Sequence, residues 1–200
     1  MHKIYRIKAD WDRSPVALAS HAGLNIVDIE PVKITAQNQA KRENGATLVH
    51  SKVMKVFLDS GEPFCVVLED DAILSKNLEW LSFTDFDFFI PFAHNRRHLD
   101  ENYSIRQQRL PKYGAFAYLC SRTFALKYFE LLQRGGLADV ISHDAARGLR
   151  YGSFAGNAVN HDNDAPSMIS EERRKDFLKK YPDQKKRSWF FGIFFQKKAD

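Results

Sequence analysis

An α/β fold around a mainly parallel sheet follows from three features of this sequence. Short apolar runs alternate with helical patterns along the chain. The run Phe64-Cys65-Val66-Val67-Leu68 is apolar on both faces, as a central strand should be. No internal repeat or low-complexity tract breaks the alternation. With 200 residues, 44% hydrophobic and 28% charged side chains, the composition suits one domain with its own core and not a disordered chain. The sequence divides into a domain at residues 1–170 and a basic, aromatic tail at 171–200.

The opening is β-α-β. Ile4-Tyr5-Arg6-Ile7 is a short strand, Ser14-Pro15 has the cap-then-proline form of a helix start, and Asn25 to Ile29 alternates as a second strand. After the polar stretch Gln37 to Gly45, a helix is expected over Thr47 to Leu58, with Leu48, Val49, Met54, Val56 and Leu58 set among polar residues and Ser60-Gly61 as its stop. The central strand Phe64 to Leu68 then ends abruptly in Glu69-Asp70-Asp71. A short helix around Leu78 to Leu81 leads to a strand within Phe86 to Phe92 and to a polar, basic loop from His94 to Lys112 without strong periodicity. Gly114 to Cys120 is a further strand. Ser121 caps a helix whose Phe124, Ala125, Tyr128, Phe129, Leu131 and Leu132 form an apolar stripe, stopped by Gly135-Gly136. Asp139 to Arg147 is helical, and Tyr151 to Val159 reads as a last strand.

Charge narrows the function classes. The chain carries 30 Lys+Arg against 25 Asp+Glu, but residues 171–200 hold ten basic and five acidic side chains, so the body balances at twenty of each. A nucleic-acid-binding fold would carry a basic face through the body itself, so no nucleic acid partner is expected. No run approaches the roughly 20 apolar residues of a membrane span, and Met-His-Lys-Ile-Tyr-Arg lacks the apolar stretch of a secretory signal. The expected location is cytoplasmic. Cys65 and Cys120 each lie inside an apolar, strand-like run and read as reduced, buried thiols.

Three carboxylates directly after an all-apolar strand must emerge at the edge of the sheet, because burying them unpaired is costly. Open α/β sheets bind ligands at the carboxyl ends of their strands. Adjacent carboxylates there form the oxygen-rich site that Mn²⁺ or Mg²⁺ accepts, typically with substrate phosphates. Glu69, Asp70 and Asp71 therefore point to a metal and diphosphate site, with a solvated turn or helix cap as the plain alternative. A second acidic pair, Asp85-Phe86-Asp87, precedes its strand and belongs at the opposite edge as a polar turn. Arg96, Arg97, Arg106, Arg109 and Lys112, with Tyr103, give the basic loop the chemistry to hold an acceptor bearing phosphate or carboxylate groups, or to order as a lid. A solvated loop is the alternative. Asn160-His161-Asp162-Asn163-Asp164 is either a polar turn or a group that reaches a sugar or metal.

Gly45-Ala46-Thr47-Leu48-Val49-His50 at a helix start, Val66-Val67-Leu68-Glu69-Asp70-Asp71-Ala72, and Gly114-Ala115-Phe116-Ala117-Tyr118-Leu119-Cys120-Ser121 before a helix with Ala125 together resemble glycosyltransferase family 25. This is the family of bacterial lipooligosaccharide galactosyltransferases, and the likeness runs from Gly45 to Ile169, closing on Ser167-Met168-Ile169. Ala46 and Val49 stand where the family has Cys and Ser, and its N-terminal Asn-Leu signature is reduced to Arg6-Ile7-Lys8-Ala9-Asp10 with Arg13. The resemblance implies a GT-A-like, Rossmann-related fold. It also implies an inverting, metal-dependent transfer of a hexose, galactose foremost, from a nucleotide diphosphate sugar such as a UDP-hexose to a saccharide or glycolipid acceptor, the lipooligosaccharide core. Residue by residue, it implies Asp71 and Asp70 as metal ligands, and Glu69, Asp70, His50 and Arg13 as donor-binding residues. Asp144 would be the catalytic base, with a helix cap for the segment beginning near Ala145 as the plain alternative and Asp139 next in line, and Arg96, Arg97 and Tyr103 would meet the acceptor.

The tail brackets Trp189-Phe190-Phe191-Gly192-Ile193-Phe194-Phe195 with Lys and Arg. That run is too short to span a bilayer but suits an anionic membrane interface, so peripheral contact at the inner face of the plasma membrane is expected. The alternative is an aromatic segment packed on the core. The rival functional class is a catalytically silent, membrane-associated binding protein that keeps the fold and has lost donor binding.

Overall fold

The computed structural model describes residues 1–8, 23–32, 45–70, 72–93, 104–106 and 115–161. The chain divides into two units, Met1–Asn163 and Asp164–Asp200, and every described residue belongs to the first. The expected helix at Ser14-Pro15, most of the basic loop, Ser167-Met168-Ile169 and the aromatic tail lie outside the described residues.

Seven strands form one sheet in the order β2-β1-β3-β7-β5-β8-β6: β1 (Lys3–Ile7), β2 (Ile26–Ile29), β3 (Phe64–Glu69), β5 (Phe88–Ile90), β6 (Ile105–Arg106), β7 (Ala117–Ser121) and β8 (Tyr151–Phe154). β1 pairs in parallel with β2 and β3, and β5 with β8, whereas β7 runs antiparallel to both β3 and β5, and β6 antiparallel to β8. The sheet is mixed and mostly parallel, with five strands in one direction. The expected α/β class therefore holds, with one correction: β3 has a parallel neighbour on one side only. A strand buried on both faces has the same apolar pattern whichever way its neighbour runs, so direction is not written in it.

The reversal matters for position. The chain leaves β5 at the carboxyl edge of the sheet and enters β7 at that same edge, so Ala115 and Phe116 sit beside the end of β3. Its last ladder bond is Glu69 N–H donating to the Phe116 carbonyl at 2.7 Å.

Among the described residues three helices cover one face, α1 (Gly45–Ser60), α2 (Arg122–Gln133) and α3 (Ala138–Ala146). In α1, Thr47, His50, Val53, Met54 and Phe57 are buried at helical spacing. Ser121 caps α2 as expected, its hydroxyl accepting from Phe124 N–H at 3.2 Å. Gly135 and Gly136 end it with φ of 80° and 131°, values that L side chains rarely adopt. Phe124 stacks on Phe88 with ring centroids 4.3 Å apart, locking α2 to β5. The opposite face holds the Glu79–Ser82 turn, with buried Trp80 and Leu81, and an aromatic cluster of Phe83, Phe86, Phe89 and Phe154. Gly152 is required there, since a Cβ would meet the Phe86 ring at 2.6 Å.

Two strand expectations need correction. Tyr151 to Val159 is not one strand: β8 stops at Phe154, and the Asn157 side chain turns the chain by accepting Ala93 N–H at 2.8 Å. The following β9 (Val159–His161) pairs antiparallel with β4 (Ala72–Leu74), a strand the sequence pattern did not reveal. Within the basic loop, Ile105 and Arg106 form the edge strand β6, too short to leave a periodic signal.

Candidate active site

Glu69 ends β3 at the carboxyl edge, where its side chain keeps 28% of its surface exposed. Asp70 follows in the turn, half-buried. Directly after Asp71, which lies outside the described residues, β4 begins with Ala72 opposite His161. Glu69 and Asp70 thus lie between two ladders, and the β4–β9 register brings the backbone of His161 opposite Ala72.

His50 lies beneath Glu69. Its side chain is fully buried, with Nε2 3.3 Å from Glu69 Oε1 and Nδ1 3.0 Å from the Tyr118 hydroxyl. Tyr118 comes from β7 and is itself fully buried, and burial holds its phenol well above the usual range, with the neighbouring Tyr128 adding to the effect. Tyr128 donates to the Ala138 carbonyl at 3.1 Å, joining this cluster to the start of α3.

Asp139 stands in the first turn of α3, and its Oδ1 accepts Ala115 N–H at 2.7 Å. Because Ala115 precedes Phe116, the partner of Glu69, this carboxylate belongs to the same edge as the acidic triplet. Thr47 in the first turn of α1 donates to the Gly136 carbonyl at 2.6 Å, so the N-termini of α1 and α3 meet there. Asp144 lies further along α3, exposed and paired with Arg147 at 3.2 Å. The described residues bring together Glu69, Asp70, His50 and Asp139 and set Asp144 apart. Arg13, Asp71, Arg96, Arg97 and Tyr103 lie outside them.

The opposite edge is closed. Asp87 Oδ1 accepts from the Ser121 hydroxyl at 3.0 Å and Oδ2 from the backbone N–H and Nε of Arg150 at 3.1 and 3.2 Å. Burial alone would raise this carboxyl, but the Arg150 and Ser121 bonds outweigh it and hold it below the usual range. The Asp-x-Asp pair is a structural turn, as its position implied.

Tyr118 was missed as a site residue, although it is the Tyr of the Gly114-x-x-x-Tyr118 strand that carries part of the family resemblance. Among the described residues no three His, Cys, Asp or Glu side chains are grouped to hold a metal ion. The donor chemistry of Asp70 with Glu69 is oxygen only, which fits a hard divalent cation such as Mn²⁺ or Mg²⁺.

No family model matches the chain, and no curated protein matches it. Among solved structures, A197 from STIV is similar at 13% identity and a TM-score of 0.51, over 80% of this chain and 83% of that one. A Drosophila β-1,4-galactosyltransferase 7 variant in complex with manganese, UDP-Gal and xylobiose aligns at 16% identity and a TM-score of 0.44, over 88% of this chain and 74% of that one. A glycosyltransferase involved in glycosylation of the major capsid of PBCV-1 aligns at 9% identity and 0.35, over 64% and 66% of the two chains. The likeness to A197 is one of fold. None of the described helices is long and apolar enough to cross a membrane.

Proposed function

We propose that the chain is an inverting glycosyltransferase that moves a hexose from a nucleotide diphosphate sugar to a saccharide or glycolipid acceptor. The observation that supports this reading is the placement of Glu69 and Asp70 at the carboxyl end of β3, where the family resemblance puts donor and metal residues, with Asp139 tied to Ala115 at the same edge. Asp70 and Asp71 would hold Mn²⁺ or Mg²⁺. The metal, when bound, supplies a Lewis acid that neutralises charge on the departing diphosphate.

The chain's own residues do the rest. Glu69 binds the donor. Asp139, oriented by the Ala115 N–H, takes the proton of the acceptor hydroxyl, and we assign it this role ahead of Asp144 because it shares the edge with Glu69. Arg13 would contact the donor, and Arg96, Arg97 and Tyr103 the acceptor, with galactose as the hexose and the lipooligosaccharide core as the acceptor. Contact of the Trp189 to Phe195 run with anionic lipid would bring the enzyme to such an acceptor.

A screen of UDP-, GDP- and CMP-sugars for metal-dependent release of nucleotide by the full chain tests the proposal, since slow transfer to water needs no acceptor. The expected result is hydrolysis of a UDP-hexose that EDTA stops and Asp71→Ala abolishes. Absence of binding to any of these nucleotides, read by calorimetry with Mn²⁺ present, would favour the silent binding protein instead.

A further inference from the structure

The Tyr118, His50 and Glu69 contacts have only one fully satisfied arrangement of protons. Among the described residues, the Tyr118 hydroxyl has a single hydrogen-bond partner, His50 Nδ1 at 3.0 Å, and His50 Nε2 has Glu69 Oε1 at 3.3 Å. Both rings are fully buried. If Nδ1 carried a proton, Tyr118 would have to accept it, and its own O–H would be left in the core without an acceptor, at the cost that attends any buried unmade bond. If Nε2 lacked a proton, its lone pair would face a carboxylate oxygen. Donation from Tyr118 O–H to Nδ1, and from Nε2–H to Glu69 Oε1, removes both conflicts. Burial keeps the Tyr118 phenol protonated, as the donor role requires.

We propose that Tyr118 and His50 form a one-directional relay that positions Glu69 as a pure hydrogen-bond acceptor at the carboxyl edge, where it takes a hydroxyl of a bound sugar. Oε1 is committed to His50, on a side chain that remains 28% exposed, and the second oxygen of an ionised carboxylate can only accept. Vicinal hydroxyls are the matching chemistry, and they come from two sources, the ribose of the nucleotide or the transferred hexose. This inference rests on the nucleotide-sugar reading above. His50 and Tyr118 are positioning residues within it and do not touch the ligand.

Two independent readouts test it. In the full chain labelled with ¹⁵N-histidine, the His50 ring, assigned by its loss in His50→Gln, should show a protonated Nε2 and a bare Nδ1. That tautomer should persist in Tyr118→Phe, where Glu69 still requires a proton on Nε2, and give way to a mixture when Glu69→Gln is added to it. Calorimetry with UDP, 2′-deoxy-UDP and UDP-galactose in the presence of Mn²⁺ forms the second readout. Glu69→Gln should weaken binding by about tenfold or more where a hydroxyl meets the carboxylate. If the ribose supplies it, UDP weakens and 2′-deoxy-UDP does not; if the hexose does, only UDP-galactose weakens. His50→Gln, which keeps an N–H donor, should retain more affinity than His50→Leu, with thermal melts showing that both fold. A protonated Nδ1 in the wild type, or a tautomer unchanged in the Tyr118→Phe, Glu69→Gln double variant, overturns the relay. Equal affinity of wild type and Glu69→Gln for all three ligands overturns the role of Glu69. If the wild type binds none of them, the nucleotide-sugar reading and this ligand assignment fall together, while the tautomer still decides the relay.

Discussion

Asp139 and Asp144 are five residues apart on one helix, and replacing each with Asn separates the two candidate bases. Asp139 accepts the N–H of Ala115, a residue only 4% exposed, so removing the acceptor altogether leaves a buried donor unpaired. For Asp139→Ala that costs about 1–3 kcal/mol, which for a domain of this size lowers the melting temperature by roughly 2 to 12 °C. Asp139→Asn retains an amide oxygen for Ala115 and should lose less than about 1 kcal/mol while removing the base, so turnover should fall about 10²-fold or more. Among the described residues Asp144 is held by an exposed pair with Arg147, so Asp144→Asn should change stability by at most about 1 kcal/mol and leave turnover intact. The assay is metal-dependent release of UDP from a UDP-hexose, run beside thermal melts and UDP binding. Loss of turnover in Asp144→Asn with near-normal turnover in Asp139→Asn would refute the assignment. Equal losses of nucleotide affinity and rate in Asp139→Asn would move that residue into the donor pocket.

Gly152→Ala should destabilise by about 1–3 kcal/mol, because the new Cβ meets the Phe86 ring at 2.6 Å within a cluster that leaves the ring no retreat; an unchanged denaturation midpoint would contradict that packing. Asp87 has a lowered pKa in the folded chain, so its contribution to stability is full above the unfolded value near about 3.9 and is lost as pH falls through the folded one. Asp87→Ala should therefore cost about 1–3 kcal/mol at neutral pH, a deficit that urea titrations should find shrinking below about pH 4. Cys65 and Cys120 are fully buried, and burial pushes the Cys65 thiol well up, with the adjoining Cys120 thiol adding to the effect. A disulfide reagent that titrates thiols should react with neither in the native chain and with both in denaturant, and rapid native reaction would place them nearer the surface.

Much of this was legible because local chemistry determines it. The run Phe64 to Leu68 ending in three acids could hardly be anything but a buried strand with an acidic exit, and Ser121 before an apolar stripe marks a helix start through a bond made within four residues. What was not legible depends on contacts between distant segments. The tether that places Asp139 joins residues 24 apart, a contact that neither the family resemblance nor the helix order that favoured Asp144 could specify. β4 and β6 have three and two residues and exist because β9 and β8 offer them a partner. The Cys65 and Cys120 thiols lie 3.5 Å apart across β3 and β7, a proximity that depends on the antiparallel pairing the pattern could not specify.

The contrast between the two acidic motifs shows what separates a structural carboxylate from one available for chemistry. Asp87 has both oxygens engaged by groups that belong to the fold, Ser121 on one and Arg150 on the other. Both oxygens serve the fold, and the residue fastens the starts of β5 and α2 to the start of β8. Glu69 has one oxygen held by His50 on a side chain that still reaches solvent. A carboxylate held at one oxygen is oriented without being saturated, and orientation fixed before a ligand arrives lowers the entropic cost of binding it. Ala115 N–H likewise orients Asp139 through one of its oxygens. Sequence form favours neither motif, since Asp-x-Asp and Glu-Asp-Asp are equally acidic. The partners decide it, and they follow from the end of the strand at which each motif falls.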